Sequence, residues 1–277
     1  MPELPEVEAV RLELAPVLTG ARIARVDLRR PDLRAPLPLD FRSRLENQTV
    51  LSLTRRAKYL LGTLSSGDTL VMHLGMSGSF SVDAAEEGAS GRRVPDPHDH
   101  VVFHLSSGAR VIFNDPRRFG FMDILSPAQF ATDPALGRLG PEPLSAAFDA
   151  AALARACRGR KISLKVALLD QRVVAGLGNI YASEALHRAG LSPKRRASTI
   201  ATQGGAPREA ANRLAAAVKQ VLTRAIDRPA VPGNYRSPRF RVYEREGEAC
   251  PRRGCDGTIV RRTQAGRSTF FCPTCQR

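Results

Sequence analysis

Aromatic residues and lysine are scarce in this sequence. Tryptophan is absent, there are four tyrosines, and only five of the 42 basic residues are lysine. No apolar run approaches the roughly 18 residues that a membrane span needs. The first residues include Pro2, Glu3 and Glu6, whereas a secretory signal would be basic there. These absences exclude an integral membrane protein, and we expect a cytoplasmic one.

Charge is the most unusual property that the sequence does have. The 277 residues carry a formal net charge of +15 and a sequence pI of about 10.7, which favours a polyanionic partner. Hydrophobic residues make up 43% of the chain, which excludes a disordered protein. The length suits about two domains. Lys58 is the only lysine before Lys161, and an amine that titrates is a role that arginine cannot fill.

Four of the five cysteines are concentrated in the last thirty residues, in the pattern C-x4-C-x16-C-x2-C. They are Cys250, Cys255, Cys272 and Cys275. Two close pairs of thiolates predict one structural Zn²⁺ ion, because a cytosolic location disfavours two disulfides. Four thiolates fill the tetrahedral coordination sphere, so this zinc should stabilise structure and should not catalyse. The isolated Cys157 is expected to be a small buried apolar residue.

The periodicity of the chain changes near its middle. An amphipathic helix is predicted over residues 4–18, and short β-rich runs over residues 21–125 predict an antiparallel sandwich or barrel. Residues 126–145 hold four prolines without sustained periodicity and mark a boundary. Beyond it we predict helices over residues 150–157, 164–169, 180–189 and 208–226. The basic C-terminal segment that contains the cysteines is a nucleic-acid candidate.

The N-terminus carries a second chemical signal. Removal of Met1 before Pro2 would leave a secondary amine, and an α-amino group titrates near pH 8, well below the value for lysine. More of this amine is therefore neutral and nucleophilic at physiological pH. The carboxylates that follow, beginning with Glu3, lie at a helix start, where they are also ordinary partners of the helix dipole. The residues alone leave both interpretations open.

Six motifs, in order over nearly the whole chain, resemble the formamidopyrimidine-DNA glycosylase family. They are MPELPEVE, RRAKYL, MHLGMSG, NDPRRFG, LLDQRVVAGLGNIYASEAL and GRSTFFCPTCQ. The resemblance implies an α+β multidomain fold. It comprises an N-terminal helix and catalytic β-sandwich (residues 1–130), a linker (131–145), a helix–two-turn–helix domain (146–235) and a zinc finger on a β-hairpin (236–277).

The resemblance also implies a function and its catalytic residues. Members of the family remove oxidised purines, 8-oxoguanine and formamidopyrimidines, from duplex DNA and cleave the strand by β- and δ-elimination. Pro2 would be the nucleophile that forms a Schiff base with C1′ of the damaged nucleotide. Glu3 would act as general acid/base at the sugar, Lys58 as proton donor in β-elimination, and Arg267 in the second elimination and in phosphate contact. We expect a monomer that needs no small-molecule cofactor.

The DNA contacts that the resemblance implies fall into two groups. Met76, Arg117 and Phe119 would fill the space that a flipped base leaves in the duplex. The remaining positions would contact DNA, with Arg118 and Asn179 at phosphates, and they are His73, His98, Arg118, Arg160, Lys165 and Asn179. His98, His100 and His104 could instead suggest a second metal, but strand alternation explains their spacing more simply. On residue type alone, Met76 and Phe119 would be assigned to the core.

One segment departs from the family pattern. Only eight residues separate Ile226 from Tyr235, where many members carry a longer loop over the flipped purine. The preference for 8-oxoguanine is therefore open. The alternatives are an endonuclease VIII-like glycosylase for oxidised pyrimidines and a non-catalytic, zinc-dependent lesion-binding protein. The PELPEVE motif and the residues that would fill the duplex argue against the first, and the presence of Pro2, Glu3 and Lys58 argues against the second.

Overall fold

The computed structural model describes residues 2–83, 93–228 and 240–277. These residues form two compact units. The first ends at Gly137, and the second begins at Arg138 and includes the C-terminal residues from 240 onward. Within the described residues, every helix is too short or too polar to cross a membrane.

The first unit begins with helix α1, Leu4–Leu18. Pro5 lies in its first turn, where a missing N–H costs nothing, and the Glu6 carboxylate accepts a hydrogen bond of 2.9 Å from the backbone N–H of Glu3. One face of the helix is buried, as the periodicity predicts; it consists of Leu4, Val7, Val10, Leu14 and Leu18.

Two four-stranded antiparallel sheets build the rest of this unit and confirm the β-sandwich. The strands are β1 (Ile23–Leu28), β2 (Val50–Arg56), β3 (Tyr59–Leu64), β4 (Thr69–His73), β5 (Ser79–Asp83), β6 (Asp99–Leu105), β7 (Arg110–Asn114) and β8 (Phe121–Leu125). One sheet has the order β1-β6-β7-β5 and the other β2-β3-β4-β8. The main apolar core has contributions from both sheets and from α1, and a smaller cluster of Leu61, Val71 and Leu125 lies apart from it.

Several short elements were not visible in the sequence. Strands β5 and β8 carry apolar residues beside Ser and Asp, so their alternation is short and ambiguous. Helix α2 (Phe41–Leu45) is also short, and α3 (Pro127–Thr132) and α4 (Pro134–Gly137) lie in the segment that showed no periodicity. A capping box between Ser126 and Gln129 explains the start of α3.

The second unit is helical and ends in a β-hairpin. Its elements are α5 (Ala150–Cys157), α6 (Leu164–Leu169), α7 (Asn179–Ala189), α8 (Glu209–Ile226), β9 (Val260–Gln264) and β10 (Arg267–Phe271). The four predicted helices are confirmed to within one residue at their ends. Helices α7 and α8 pack through small apolar side chains such as Ala182, Ala185 and Ala211, which permit close approach. Cys157 is fully buried in this core, as expected.

Candidate nucleic-acid interface and metal centre

The start of α1 and the turn between β2 and β3 hold three of the predicted catalytic side chains. Pro2 is half-buried directly before the helix, and Glu3 is 1% exposed. Lys58 is 8% exposed and follows Ala57 in the two-residue turn between the paired residues Arg56 and Tyr59. Ala57 has a φ of 53°, in the left-handed region that tight hairpin turns require.

An ion pair connects helix α1 to this turn. The Arg55 guanidinium donates from Nε to Oε2 of Glu8 at 2.9 Å and from Nη1 to the carbonyl of Ala57 at 2.9 Å. Glu8 is also paired with Arg11 on the same helix. Because Arg55 is mostly buried, with 11% of its side chain exposed, the contact is shielded from solvent. The helix start and the Lys58 turn are therefore positioned by one shared contact.

The residues predicted to fill the duplex lie on two adjacent turns. Met76 is 42% exposed and Phe119 is 44% exposed, so residue type alone would wrongly assign them to the core. The Arg117 guanidinium carbon lies 5.5 Å from the centre of the Phe119 ring, within cation–π range. The structure thus brings Arg117 and Phe119 together and presents the apolar side chains of both turns to solvent.

Asp115 joins these two turns, and sequence reasoning missed it. Its fully buried carboxylate accepts hydrogen bonds from Ser77 Oγ at 2.5 Å and from the Gly120 backbone N–H at 2.7 Å. The turns also meet at Gly75, where a Cβ atom would lie 2.2 Å from the Phe119 carbonyl. Their relative position is therefore set by one carboxylate and by one residue without a side chain. No motif rule marks such a contact, because Ser77 and Gly120 are distant in sequence.

His73 is held in one tautomer. The Gly75 backbone N–H donates to Nδ1 of His73 at 2.9 Å, so Nδ1 is the acceptor and the neutral ring carries its proton on Nε2. Burial, and then the positive charges of Lys58 and Arg34, lower the pKa of His73 to about 4. His73 is therefore a neutral hydrogen-bond donor at physiological pH.

A cavity of about 390 Å³ opens beside His73 and Phe119 in the first unit. Tyr59 and Val71 contribute to its largely apolar wall, and Arg34 supplies a charged group. Nothing in the sequence pattern pointed to Arg34 as part of this surface.

Two further predicted contacts of this unit are exposed to different degrees. His98 is exposed just before β6, whereas Arg118 is half-buried and its Nη1 lies 3.3 Å from an oxygen of Asp32.

Asn179 begins helix α7 in the second unit and faces the hairpin. It follows a segment in which Gly176 has a φ of 78°, and its Nδ2 donates to the Ser268 carbonyl at 2.9 Å. Lys165 is fully buried, and its Nζ donates to the same carbonyl at 2.8 Å and to Thr269 Oγ1 at 2.7 Å. Arg267, one residue earlier on the hairpin, is exposed. Lys165 therefore supports the strand beside Arg267, and its direct contact with DNA stays a prediction.

Arg160 is paired with a carboxylate. Its Nη1 lies 2.8 Å from Asp170 Oδ2, and Arg172 binds the other carboxylate oxygen at 2.9 Å. Hydrogen bonds from Arg172, and next from Arg160, hold the pKa of Asp170 well below its usual range even though burial opposes this. A DNA phosphate would have to compete with this carboxylate for Arg160.

The four clustered cysteines meet the geometric requirements of a tetrahedral zinc site. Their sulfur atoms all lie within 4.8 Å of one another, and the Cys250–Cys275 and Cys255–Cys272 pairs are each separated by 3.7 Å. A tetrahedral site with Zn–S bonds of about 2.3 Å requires sulfurs roughly 3.8 Å apart, whereas a disulfide would require about 2 Å. The residues present therefore fit one Zn²⁺ ion.

N–H groups around the cysteine sulfurs stabilise their deprotonated, thiolate form. Burial acts to raise the pKa of Cys272, but backbone N–H groups of Cys275 and Thr274 outweigh it and lower the value to about 7. Fully buried His187, on α7, places Nε2 3.4 Å from the Cys250 sulfur, where an N–H can support a ligating thiolate. In the described part of the chain these four cysteines form the only group of three or more potential metal ligands, so the second histidine-based site has no support there.

Three family models match the chain in order. They describe the formamidopyrimidine-DNA glycosylase N-terminal domain (residues 1–122), the formamidopyrimidine-DNA glycosylase H2TH domain (residues 139–232) and a zinc finger found in FPG and IleRS (residues 247–277). A protein with these three parts in this order is a base-excision DNA glycosylase with AP-lyase chemistry.

Full-length relatives give the same result. The chain is 57% identical to a formamidopyrimidine-DNA glycosylase of Rhodopseudomonas palustris and 56% identical to one of Bradyrhizobium, over 293 residues and 100% of each chain. The chain belongs to the formamidopyrimidine-DNA glycosylase family.

Solved structures agree with this membership. The Thermus thermophilus MutM (Fpg) protein has 40% identity and a TM-score of 0.81, with 99% of this chain and 98% of that chain covered. Lactococcus lactis Fpg in complex with FAPY-dG DNA has 29% identity and a TM-score of 0.85, with coverage of 99% and 100%.

Proposed function

We propose that this chain removes oxidised purines from duplex DNA and then cleaves the strand, with Pro2 as nucleophile. The observation that carries the proposal is the joint placement of Pro2, Glu3 and Lys58 in the first unit, where the Arg55–Glu8 pair connects the helix start to the Lys58 turn. Burial of Glu3 suits a carboxylate that exchanges a proton away from bulk water.

The first step forms a covalent bond between protein and sugar. After removal of Met1, the Pro2 nitrogen attacks C1′, the glycosidic bond breaks, and its electron pair leaves with the base. Opening of the sugar ring, assisted by proton transfer involving Glu3, gives an iminium between Pro2 and C1′. The positive iminium nitrogen makes the C2′ proton acidic.

The following steps break the strand. Loss of the C2′ proton expels the 3′ phosphate by β-elimination, and Lys58 donates the proton that this step requires. A second elimination expels the 5′ phosphate, and exposed Arg267 on the hairpin is assigned to it. Hydrolysis of the remaining Schiff base regenerates the Pro2 amine.

The two turns of the first unit give the enzyme access to the base. A base inside a duplex must be rotated out of the stack before its sugar can be attacked. We assign Met76 as the apolar wedge, Phe119 as the aromatic ring in the stack, and Arg117 as the group that faces the orphaned base. The exposure of these side chains, and the position of Arg117 against the Phe119 ring, support the assignment because the side chains are free to enter a duplex.

Backbone phosphates would bind around these groups. His73 would donate a single hydrogen bond from Nε2, and exposed His98 and half-buried Arg118 would add polar contacts. At the start of α7, Asn179 and the backbone N–H groups would hold a phosphate at the positive end of the helix. Arg160, which is paired with Asp170, and Lys165, which is bound to the hairpin, would support this surface. The site of action would be the cytoplasm, where bacterial DNA lies.

The range of lesions is the part of this function that the shortened segment affects. Alignments with the curated relatives run over 293 residues, against 277 in this chain, so this chain lacks residues that they have. The shortening noted between Ile226 and Tyr235 lies largely outside the described residues, because 229–239 are not described. We expect excision and strand cleavage to be retained and discrimination among oxidised bases to be reduced.

Borohydride trapping tests the proposal. The chain is mixed with a duplex containing 8-oxoguanine opposite cytosine, reduced, and digested, and the cross-linked peptide is identified by mass. We expect the adduct on Pro2 of a chain without Met1, and we expect Pro2→Gly to lose the adduct while retaining affinity for the duplex. Adduct formation by Pro2→Gly at the parent rate would disprove the assigned nucleophile.

Two further duplexes separate the alternatives. One contains a formamidopyrimidine, and the other an oxidised pyrimidine, a lesion also present in one DNA complex of the Lactococcus lactis enzyme. Trapping only on the pyrimidine would favour an endonuclease VIII-like specificity. Binding without any adduct, even at an abasic site, would favour a non-catalytic lesion-binding protein.

A further inference from the structure

Four arginines surround a cavity of about 480 Å³ in the second unit. The cavity lies between the end of α7, one face of α8 and the segment that leads into the zinc site. Its charged lining residues are Arg188, Arg213, Arg241 and Arg252. The remaining lining residues are Ala189, Ala216, Ala217 and Gln220, so no carboxylate of the described residues lines the cavity.

These guanidinium groups have no acidic partner in the described part of the chain. None of the four takes part in an ion pair there. Glu184 lies one turn before Arg188, but its carboxylate accepts backbone N–H groups of Arg241, Val242 and Tyr243, all within 3.0 Å. This contrasts with Arg160 and Arg172, which share the Asp170 carboxylate.

Neutral acceptors hold three of the four side chains in place. Arg252 Nη2 donates to the carbonyls of His187 and Arg188 at the end of α7, and Arg241 Nη2 donates to the Pro251 carbonyl at 3.0 Å. Arg188 Nε donates to Gln220. Each contact orients a guanidinium and leaves most of its other N–H groups for a ligand. Few side chains would therefore lose conformational entropy when an anion binds. Nε of Arg252 is buried and has no hydrogen-bond partner among the described residues.

The cluster is electrostatically unfavourable without an anion. Like charges around one cavity repel one another, and the carbonyls at the C-terminus of α7 offset only part of this repulsion. Burial, and then the positive charges of Arg224 and Arg241, lower the pKa of Arg188. A ligand with several negatively charged oxygens would relieve the repulsion and match the planar geometry of the guanidinium groups.

We propose that this arginine cavity is a second phosphate-binding site, which takes phosphate groups of a DNA segment other than the one that contains the lesion. It lies at the C-terminal end of α7, whereas Asn179 begins that helix roughly 13 Å away along the axis. The claim that the bound phosphates belong to DNA rests on the proposed function. The claim that the cavity binds phosphate groups does not. Binding of a second segment would allow the enzyme to transfer directly between duplexes during its search.

Pyrophosphate tests the phosphate chemistry alone. Titration calorimetry at low salt would compare the parent with Arg213→Glu, which changes an exposed residue of α8, and with the double variant Arg188→Gln/Arg213→Glu. Arg42→Glu, on α2 of the first unit, makes the same change of charge as Arg213→Glu and serves as its control. We expect affinity to fall about tenfold or more in the cavity variants and to be retained in the control. Thermal unfolding would verify that each variant is folded.

Dissociation kinetics test the DNA source. The enzyme is released from a labelled, lesion-free duplex at increasing concentrations of unlabelled duplex. Direct transfer makes the release rate rise with competitor concentration, and we expect this rise in the parent and in Arg42→Glu but not in the cavity variants. Strand cleavage of a short lesion duplex at saturating enzyme should be unchanged in all of them.

The two arms lead to separate conclusions. Loss of pyrophosphate affinity together with loss of competitor dependence supports the proposal in full. Loss of pyrophosphate affinity alone supports the phosphate site but assigns it to a free phosphate anion and overturns the DNA source. If the cavity variants have the same pyrophosphate affinity and the same competitor dependence as Arg42→Glu, the proposed site is disproved. Failure of the proposed glycosylase would appear as absent cleavage by the parent and would leave the pyrophosphate result intact.

Discussion

Asp115 is the residue on which the two proposed duplex-filling turns depend. Its carboxylate binds the turn of Met76 through Ser77 and the turn of Phe119 through Gly120. The isosteric change Asp115→Asn removes the negative charge and leaves one acceptor oxygen, so the Gly120 contact loses its charged acceptor and the Ser77 hydroxyl has to change from donor to acceptor. We predict that excision of 8-oxoguanine from a duplex slows about tenfold or more, because hydrogen bonds to a charged group contribute strongly.

Single-stranded DNA provides the comparison for this variant. A single strand has no partner strand or stack to fill, so borohydride trapping at an abasic site in a single-stranded oligonucleotide should be unchanged. Asp40→Asn, at an exposed carboxylate before α2, should behave as the parent in both assays. Equal losses on single and double strands would show that Asp115 supports the fold in general and not the turns in particular.

His73 predicts a dependence of stability on pH. Its pKa is lowered to about 4 in the folded chain, from about 6.5 when unfolded, so protons bind more readily to the unfolded state. The stabilisation is complete above pH 6.5 and is lost as the pH falls toward 4. Urea unfolding at pH 7.5 and 4.5 should show that the parent loses up to about 3 kcal/mol more than His73→Gln over this interval. An equal loss in both proteins would contradict the lowered pKa.

At this scale the family resemblance proposes which residues act, whereas the structure supplies the contacts between them. Met76, Arg117 and Phe119 were assigned through resemblance to a family, although their residue types favoured a core or an ordinary surface. The roles of Asp115 and Arg55 come from neighbours in space, and no spacing rule marks them.

Helix α7 is the element that connects the helical part of the second unit to the zinc site. Its Glu184 holds residues 241–243, and His187 reaches the Cys250 sulfur. We predict that Glu184→Gln destabilises the second unit by about 2–3 kcal/mol, because three backbone N–H groups lose a charged acceptor. Denaturant unfolding followed by circular dichroism would measure this.

Glu209 supplies the control for that measurement. It is exposed in the first turn of α8, where a carboxylate contributes at most about 1 kcal/mol through the helix dipole. A destabilisation by Glu184→Gln that is no larger than that of Glu209→Gln would show that the backbone contacts contribute little.

Elements with strong periodicity were predictable, and short ones were not. Helix α1 and the four main helices of the second unit have apolar residues at helical spacing and appear at the expected positions. Strands β5 and β8 have five residues each, and their place in the sheets follows from pairing with β7 and β4. Pairing between strands distant in sequence has no local signal, so the sheet order could not be derived.

The molecule as a whole divides into a β-sandwich unit and a helical unit, and only the second contains the proposed zinc ion. We predict that removal of zinc by a strong chelator lowers the unfolding temperature of the second unit and leaves that of the first unchanged. Binding to structural cysteine sites supplies folding free energy directly, so its loss should unfold the hairpin.

Calorimetry with and without the chelator would resolve the two transitions. Affinity for duplex DNA should fall in the same samples, since Arg267 lies on the hairpin, and added Zn²⁺ should restore both properties. A chelated protein whose two transitions are unchanged would show that the thiolates do not depend on a metal.

The two-residue turn of the zinc hairpin sets the orientation of the Arg267 side chain. Ala265 and Gly266 both adopt positive φ, 46° and 72°, which is the conformation of a two-residue type I′ turn between the paired residues Gln264 and Arg267. Side chains alternate between the two faces of a strand, so each inserted residue reverses the face that follows. The length of this turn therefore determines the face of the hairpin on which the Arg267 side chain lies. One added residue that shifted the register would turn Arg267 away from its face and present Ser268 in its place, and it would also displace the end of β10 that leads into Cys272.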